Sequence, residues 1–261
     1  MNTELNVPSP AATVLLVRDA GTLEVLMIRR NAAMAFGASA WVFPGGKVAA
    51  ADRAPEWDAR SNGDFSADER ALRVAAARET FEESGLLLAT RACDGASADL
   101  EDCRRLDGLR GAVEAEPSLF HHVLEKAGLT LALDALAPFA HGITPAFEPR
   151  RYDTRFYLAV APASQIARHD GREAVDHVWI EPTALLEQRR AGEAKLMFPT
   201  RLNLEMLARA HNAREAEKQA RARTVVTVEP QLVERDGVRL LRIPQEAGYS
   251  VVEETFDRVM S

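Results

Sequence analysis

The sequence predicts an α/β protein: a mixed sheet held between helical layers in an α/β/α sandwich, with a helical insertion and a C-terminal β-hairpin extension. Three observations predict it. Apolar runs of strand length, bounded by turn residues, sit near the start of the chain and again after residue 135. Between them lies one long stretch with the start and stop signals of a helix. Strands that alternate with helices bury their apolar sides best as stacked layers.

Taken in order, "AATVLLV" after Pro8 and Pro10 reads as a buried strand and "LEVLMIRR" (23–30) as a second, with "DAGT" turning between them. "WVFPGG" (41–46) is a short strand entering a Pro-Gly-Gly turn, and the polar residues 47–65 read as an extended loop. Ser66 and Glu69 have the spacing of a capping box and open a helix that runs to Ser84 and stops at Gly85. On that helix Val74, Ala77 and Phe81 share an apolar side. Residues 94–130 are charged and helical in pattern, with a helix starting near Pro117 and ending at Gly128. Strand-like runs return at 136–144, 154–161 and 177–180. Residues 182–193 read as a helix and 199–222 as a single long one. The segment 224–244 reads as a hairpin turning at Asp236-Gly237. The chain therefore divides into a domain over 8–223, with insertions at about 53–70 and 94–130, and an extension over 224–261. The apolar residues of the extension need cover, which its own domain, the rim of the cleft or a second copy in a homodimer would provide.

A hydrophobic share of 47% and a charged share of 27% are ordinary for a globular protein, and 261 residues can bury a substantial core. The formal charge of −7 argues against a nucleic-acid backbone as partner. "MNTELNVPSP" has no basic start followed by an apolar run, and no apolar stretch approaches the roughly 18 residues a membrane span needs. The expectation is a cytoplasmic protein with no membrane partner. Cys93 and Cys103, in a polar segment expected to be exposed, match no disulfide or metal framework, which suits a reducing compartment.

The chemistry gathers at "RETFEESG" (78–85). At about 100° per residue, Glu79, Glu82 and Glu83 converge on one helix face, away from Val74, Ala77 and Phe81. Like charges so placed cost a few tenths of a kcal/mol each unless a cation lies among them. Hard oxygen donors on one face suit Mg²⁺ or Mn²⁺. A lone Glu-Glu pair is most simply a solvated acidic face. Here Arg-Glu-x-x-Glu-Glu-x-Gly fixes five positions behind a Gly-Gly turn, a coincidence of about one in a million per starting position.

This combination resembles the Nudix box, Gly-x5-Glu-x7-Arg-Glu-U-x-Glu-Glu-x-Gly-U with U a bulky apolar residue, at Gly46, Arg78, Glu79, Glu82, Glu83, Gly85 and Leu86. The chain departs from it in three places. Asp52 stands at the first acidic position, Thr80 stands at an apolar one, and residues 53–77, 25 positions where the pattern has 7, insert 18 residues. The resemblance implies a Nudix-type sandwich and a divalent-metal-dependent hydrolase of diphosphate linkages. It implies Glu79, Glu82 and Glu83 as metal ligands and catalytic groups, the carbonyl of Gly45 as a further ligand, and Arg78 as the residue that pairs with an acid and orients it. The general base of related enzymes comes from the box or from a later loop, where Glu173 stands. His141, His169 and His177 are candidate proton shuttles, each better explained as a loop or core histidine.

Residues 25–46, the interrupted box, residues 136–162 and the hairpin resemble the large Nudix enzymes that act as acyl-coenzyme A diphosphatases in animal peroxisomes and mitochondria. That implies cleavage of a coenzyme A diphosphate into 4′-phosphopantetheine, acylated or free, and adenosine 3′,5′-bisphosphate. Such enzymes often carry an arginine eight residues before the phenylalanine of Phe-Pro-Gly-Gly and a glycine four before it, where this chain has Ala35 and Ser39. Arg29, Arg30, Arg150 and Arg151 are the candidates to meet substrate phosphates in its place. Arg155 alternates with Phe156 and should face away from that ring. The alternative readings are an ADP-ribose or dinucleotide pyrophosphatase, and a nucleotide sensor that binds without cleaving.

Overall fold

The computed structural model describes residues 6–33 and 37–256, so Ala35 and the last residues of the extension lie outside the described residues. The chain begins with β1 (Ser9–Asp19), β2 (Leu23–Arg30), β3 (Trp41–Val42) and β4 (Gly45–Lys47), followed by α1 (Trp57–Arg60) and α2 (Ala67–Ser84). Next come β5 (Ala89–Arg91), the helices α3 (Leu100–Asp107), α4 (Arg110–Ala115) and α5 (Leu119–Ala127), and β6 (Leu129–Leu131). The sheet resumes with β7 (Ala137–Ile143), β8 (Tyr152–Val160) and β9 (Ala174–Ile180), and the helices α6 (Pro182–Arg190), α7 (Phe198–Leu207) and α8 (Ala213–Ala222) follow. The described chain ends in β10 (Thr227–Val228), β11 (Gln231–Arg235), β12 (Val238–Arg242) and β13 (Glu253–Thr255).

The main sheet is mixed, as predicted. Its order is β10-β7-β8-β1-β2-β3, with β4 on β1 and β9 on β2. β1 runs parallel to β8 and antiparallel to both β2 and β4. Both faces of β1 are covered, which explains why its sequence is a continuous apolar run and not an alternation. Ala12, Val14 and Leu16 pack with Val74 and Phe81 of α2 and with the insertion. Leu15 and Val17 pack on the other side with Leu185, Leu204, Leu207 and Ala216 of α6, α7 and α8.

Helix α2 starts and stops where its sequence says it should. The Ser66 hydroxyl accepts from the Glu69 N–H at 3.3 Å. The Glu69 carboxylate does not return the bond to complete a capping box. It accepts instead from Arg73 Nε at 2.7 Å and from the Tyr157 hydroxyl at 3.1 Å, tying the helix to β8. At the other end Gly85 takes φ +70°, and its N–H reaches the Phe81 carbonyl at 2.9 Å.

Three expectations are corrected. Residues 47–65 are not a plain loop: a 3₁₀ turn spans Ala50–Arg53, and α1 buries Trp57 to 2% exposure. Trp57 Nε1 donates to the Ala51 carbonyl at 2.9 Å, and its ring meets Phe120 of α5 at 5.8 Å, so this stretch belongs to the core. The single helix expected over 199–222 is two, because Asn212 caps a fresh start by accepting from the Glu215 N–H at 2.8 Å. Cys103 is buried with Leu106 against the core, while Cys93 is exposed; both thiols are free.

The hairpin turns at Asp236-Gly237, both at positive φ, the geometry of a two-residue turn that matches strand twist. β10 pairs with β7 in the main sheet, which stitches the start of the extension to the domain. Leu202, Val228 and Ile243 form a small core there, Arg201 pairs with Glu254, and the Tyr249 hydroxyl donates to Asn203 at 2.8 Å. Among the described residues no helix is long and apolar enough to cross a membrane. The buried Trp57 yields a direct test: W57A should lower the unfolding free energy by about 3–5 kcal/mol in urea with an unchanged slope. A loss below about 1 kcal/mol would place that segment outside the cooperative core.

Candidate active site

The last two turns of α2 face the turn Pro44-Gly45-Gly46 and the 3₁₀ turn at Asp52. Arg78 organises them. Its Nε and Nη2 grip both Asp52 oxygens at 2.9 Å, its Nη1 donates to Glu79 and Glu82 at 2.9 Å each, and Nη2 also reaches the Lys47 carbonyl at 2.9 Å. Every donor of the guanidinium is used. Burial works against the charged form of Arg78, but the hydrogen bond to Asp52 and the charges of Glu79, Asp52 and Glu82 outweigh it and raise its pKa. Asp52 also accepts from the Ala49 N–H at 2.7 Å, so the 3₁₀ turn fixes it independently of Arg78. Asp52, which stands where the pattern has a glutamate, is in the fold the partner that orients Arg78. Thr80 is fully buried, its hydroxyl bonded to the Ala76 carbonyl at 2.8 Å, which accounts for its place at an apolar position.

The two glycines admit the other carboxylates. The Gly45 N–H donates to Glu83 Oε2 at 2.8 Å. A Cβ on Gly45, at φ +155°, would stand 2.5 Å from the Ala12 carbonyl of β1. A Cβ on Gly46 would stand 2.5 Å from the carboxyl carbon of Glu79, so that carboxylate lies against bare backbone. The acidic face is thus packed against β4. Glu82 is 7% exposed and Glu83 9%, where the sequence suggested a charged outer face.

Burial has an electrostatic consequence. It is the main cause raising the pKa of all three glutamates: Glu79 is pushed up to about 7 with Arg78 opposing, Glu82 is raised with Arg78 again opposing, and Glu83 is raised well above the ordinary value. Four carboxylates, Asp52, Glu79, Glu82 and Glu83, share this volume; the Arg78 guanidinium bonds the first three, and Glu83 accepts only the neutral Gly45 N–H among the hydrogen bonds of the described residues. An all-oxygen donor set with surplus buried negative charge fits a hard divalent cation. Among the described residues no three His, Cys, Asp or Glu side chains are gathered closely enough to share one ion. Two of the three glutamates point an oxygen at Arg78 and the third at Gly45.

The remaining candidates divide. The charges of Arg30 and Glu173 act on Glu83 in opposite directions, Arg30 favouring its ionised form and Glu173 opposing it. Glu173 is exposed, at the end of a loop that Asp170 braces by accepting from the N–H groups of Arg172, Glu173 and Ala174 at 2.8–2.9 Å. Arg29 points the other way, to Asp176 at 3.1 Å and over the Trp41 ring. Arg150 is exposed. Arg151 is committed to the chain itself, donating to the Thr144 and Asn6 carbonyls at 3.0 and 2.9 Å and pairing with Glu229. His141 is buried between Asp153 and Thr227 at 2.6 and 2.7 Å and joins β7, β8 and β10. His169 and His177 stack edge to face at 5.3 Å. Two insertion residues escaped the sequence reading because no motif marks them: Glu114, whose charge acts on Glu82, and Arg110, which bonds its carbonyl.

A carboxylate-lined helix end packed on a Gly-Gly turn, with an arginine fixing its acids, defines a class of phosphoanhydride hydrolase, and the comparisons assign it. The chain belongs to the Nudix hydrolase family: the family model described as NUDT19 Nudix domain matches residues 58–207 and that described as NUDIX domain matches residues 7–97. It is similar to putative nudix hydrolase 7 of Caenorhabditis elegans, 29% identical over 94% of this chain and 75% of that one. It is also similar to acyl-coenzyme A diphosphatase NUDT19 of Gallus gallus, 28% identical over 67% of this chain and 58% of that one. The match to NUDT19 of Xenopus laevis is 25% identical over 70% of this chain and 59% of that one, so the chain spans under two thirds of the length of these two. Among solved structures, the Nudix hydrolase from Alicyclobacillus acidocaldarius is 30% identical, with a TM-score of 0.69, over 82% of this chain and 97% of that one.

The raised glutamates set a pH dependence. Glu79 has a folded-state pKa of about 7 against an ordinary value of 4.5, so its stabilising contribution is complete below the lower value and is lost as pH rises through the higher. In the presence of a chelator, stability should fall between about pH 5 and pH 8 by an amount on the order of 1–3 kcal/mol, and E79Q should flatten that fall. Thermal melts across this range check it; a wild-type profile that is flat or rises with pH contradicts the assignment.

Proposed function

We propose that the chain hydrolyses the diphosphate linkage of a nucleoside diphosphate derivative, with coenzyme A and its acyl thioesters as the substrate class and Mg²⁺ or Mn²⁺ as the cofactor. The observation that carries the reading is the buried surplus of carboxylates on α2 against Gly45 and Gly46, held by Arg78 for Glu79 and Glu82 and by the Gly45 N–H for Glu83. The substrate class is supported by the matches to relatives named acyl-coenzyme A diphosphatase.

Glu79, Glu82, Glu83 and the carbonyl of Gly45 are the groups proposed to hold the cation. Bound there, a divalent ion would neutralise the diphosphate and lower the pKa of an attached water. The chain's own residues supply orientation and proton transfer. Arg78, locked by Asp52, fixes the directions of Glu79 and Glu82, and the Gly45 N–H fixes Glu83. Arg30, whose charge acts on Glu83, is the arginine assigned to a diphosphate oxygen. Glu173, exposed on the braced loop, takes the proton as water attacks phosphorus. The phosphoanhydride P–O bond then breaks, leaving two phosphate monoesters. Arg29 and Arg151, already paired within the chain, have no part in this assignment.

Mass spectrometry of products from coenzyme A, acetyl-coenzyme A, ADP-ribose and NADH, each with Mg²⁺ or Mn²⁺, tests substrate and bond together. The expected outcome is 4′-phosphopantetheine and adenosine 3′,5′-bisphosphate as the dominant products. Preferential cleavage of ADP-ribose or NADH would overturn the substrate class, and tight binding without cleavage would point to a sensor. E82Q and E83Q should each reduce turnover at least about 10²-fold with melting temperatures preserved. Undiminished turnover in both removes the metal assignment.

A further inference from the structure

Helix α2 carries its three glutamates at its C-terminal end, where the negative end of the helix dipole and the last carbonyls add to their mutual repulsion. Its last turn has no basic residue of its own. The insertion supplies one. Arg110, at the first position of α4, is buried, and its Nε and Nη2 both donate to the Glu82 carbonyl, at 3.0 and 2.8 Å. That carbonyl lies past the end of the helical ladder, for the Leu86 N–H turns to the Ser84 hydroxyl. Arg110 Nη1 reaches Asp107 at 3.1 Å and lies over the C-terminal glycine, 3.3 Å from where a Cβ of Gly85 would stand.

The insertion and the end of α2 also brace the segment that leads to Glu173. Asp107 also faces Arg168 at 3.6 Å, and the Arg168 N–H donates to the Ser84 carbonyl at 2.8 Å. Glu114, one turn after Arg110, pairs with Arg172 at 3.6 Å, whose guanidinium rests over Gly111 so closely that a Cβ there would stand 2.9 Å away.

We propose that Arg110 is a positioning residue for hydrolysis: by clamping the Glu82 carbonyl it fixes the final turn of α2, and so the directions of Glu82 and Glu83, making the insertion a working part of the active site. The inference rests on the reading that these glutamates hold the catalytic cation. A fork of donors is needed to hold one carbonyl twice while reaching Asp107, which a lysine cannot do. An arginine that only anchored the insertion would affect stability and leave the reaction alone.

The test measures kcat, KM and the Mn²⁺ concentration for half-activation on the full chain, with coenzyme A or whichever compound of the panel wild type cleaves fastest, and reads the Mn²⁺ dissociation constant by electron paramagnetic resonance without substrate. R110M, R110K and E82Q are compared. R110M should lower kcat and raise the Mn²⁺ requirement, each about 10- to 100-fold, with KM changed less than about twofold. R110K should fall between R110M and wild type, and millimolar guanidinium should restore part of the R110M rate. Wild-type kcat and Mn²⁺ activation in R110M, measured well below its melting temperature, would overturn the proposal. Should R110M not fold, R110K decides: an intermediate loss supports the clamp, and wild-type values refute it. An active E82Q would sink the metal reading itself, whereas an inactive E82Q beside an unaffected R110M sinks only the role of Arg110.

Discussion

One guanidinium holds this site together. Arg78 is buried, spends all of its donors, and meets Asp52, Glu79 and Glu82 at hydrogen-bond distance. Removing one partner from such a network leaves uncompensated charge in a low-dielectric volume, which costs several kcal/mol. The arrangement is therefore cooperative: the 3₁₀ turn presents Asp52, Asp52 fixes Arg78, and Arg78 fixes two of the glutamates. The sheet serves the same end, because pairing β4 with β1 brings the Gly45 N–H to the third glutamate.

The burial of these acids separates a functional helix face from a merely soluble one. A solvated acidic face would leave its carboxylates near their ordinary pKa. Here the loss of water raises all three, and the attraction of Arg78 offsets this only partly for Glu79 and Glu82. The fold accepts that cost at the one place where a phosphoanhydride hydrolase can use it, an example of local strain concentrated at a site.

Much of this was legible in the sequence where the signal is local. The limits of α2 follow from Ser66 and Gly85, and the hairpin turn follows from Asp236-Gly237, because caps and tight turns are decided by a few adjacent residues. The box placed Glu79, Glu82, Glu83 and Arg78 on one helix. Contacts made across long stretches of chain were not legible. Trp57 lies in a polar stretch that reads as a loop, with nothing to mark its contact with Phe120, and nothing marks Arg110 as the partner of a carbonyl 28 residues earlier. Burial of the glutamates was missed for the same reason, since periodicity tells which residues share a face but not what covers it.

The interrupted box shows how little chain length matters once the ends are pinned. Closing a loop of 25 residues in place of 7 costs only about 1 kcal/mol more in chain entropy, a sum the Trp57 anchor can offset. The spacing between the first acid and the arginine is thus free to drift while the bidentate grip between them stays fixed. A search for kindred proteins that demands constant intervals would pass over such chains, whereas one that asks which acid an arginine holds with both prongs would recover them.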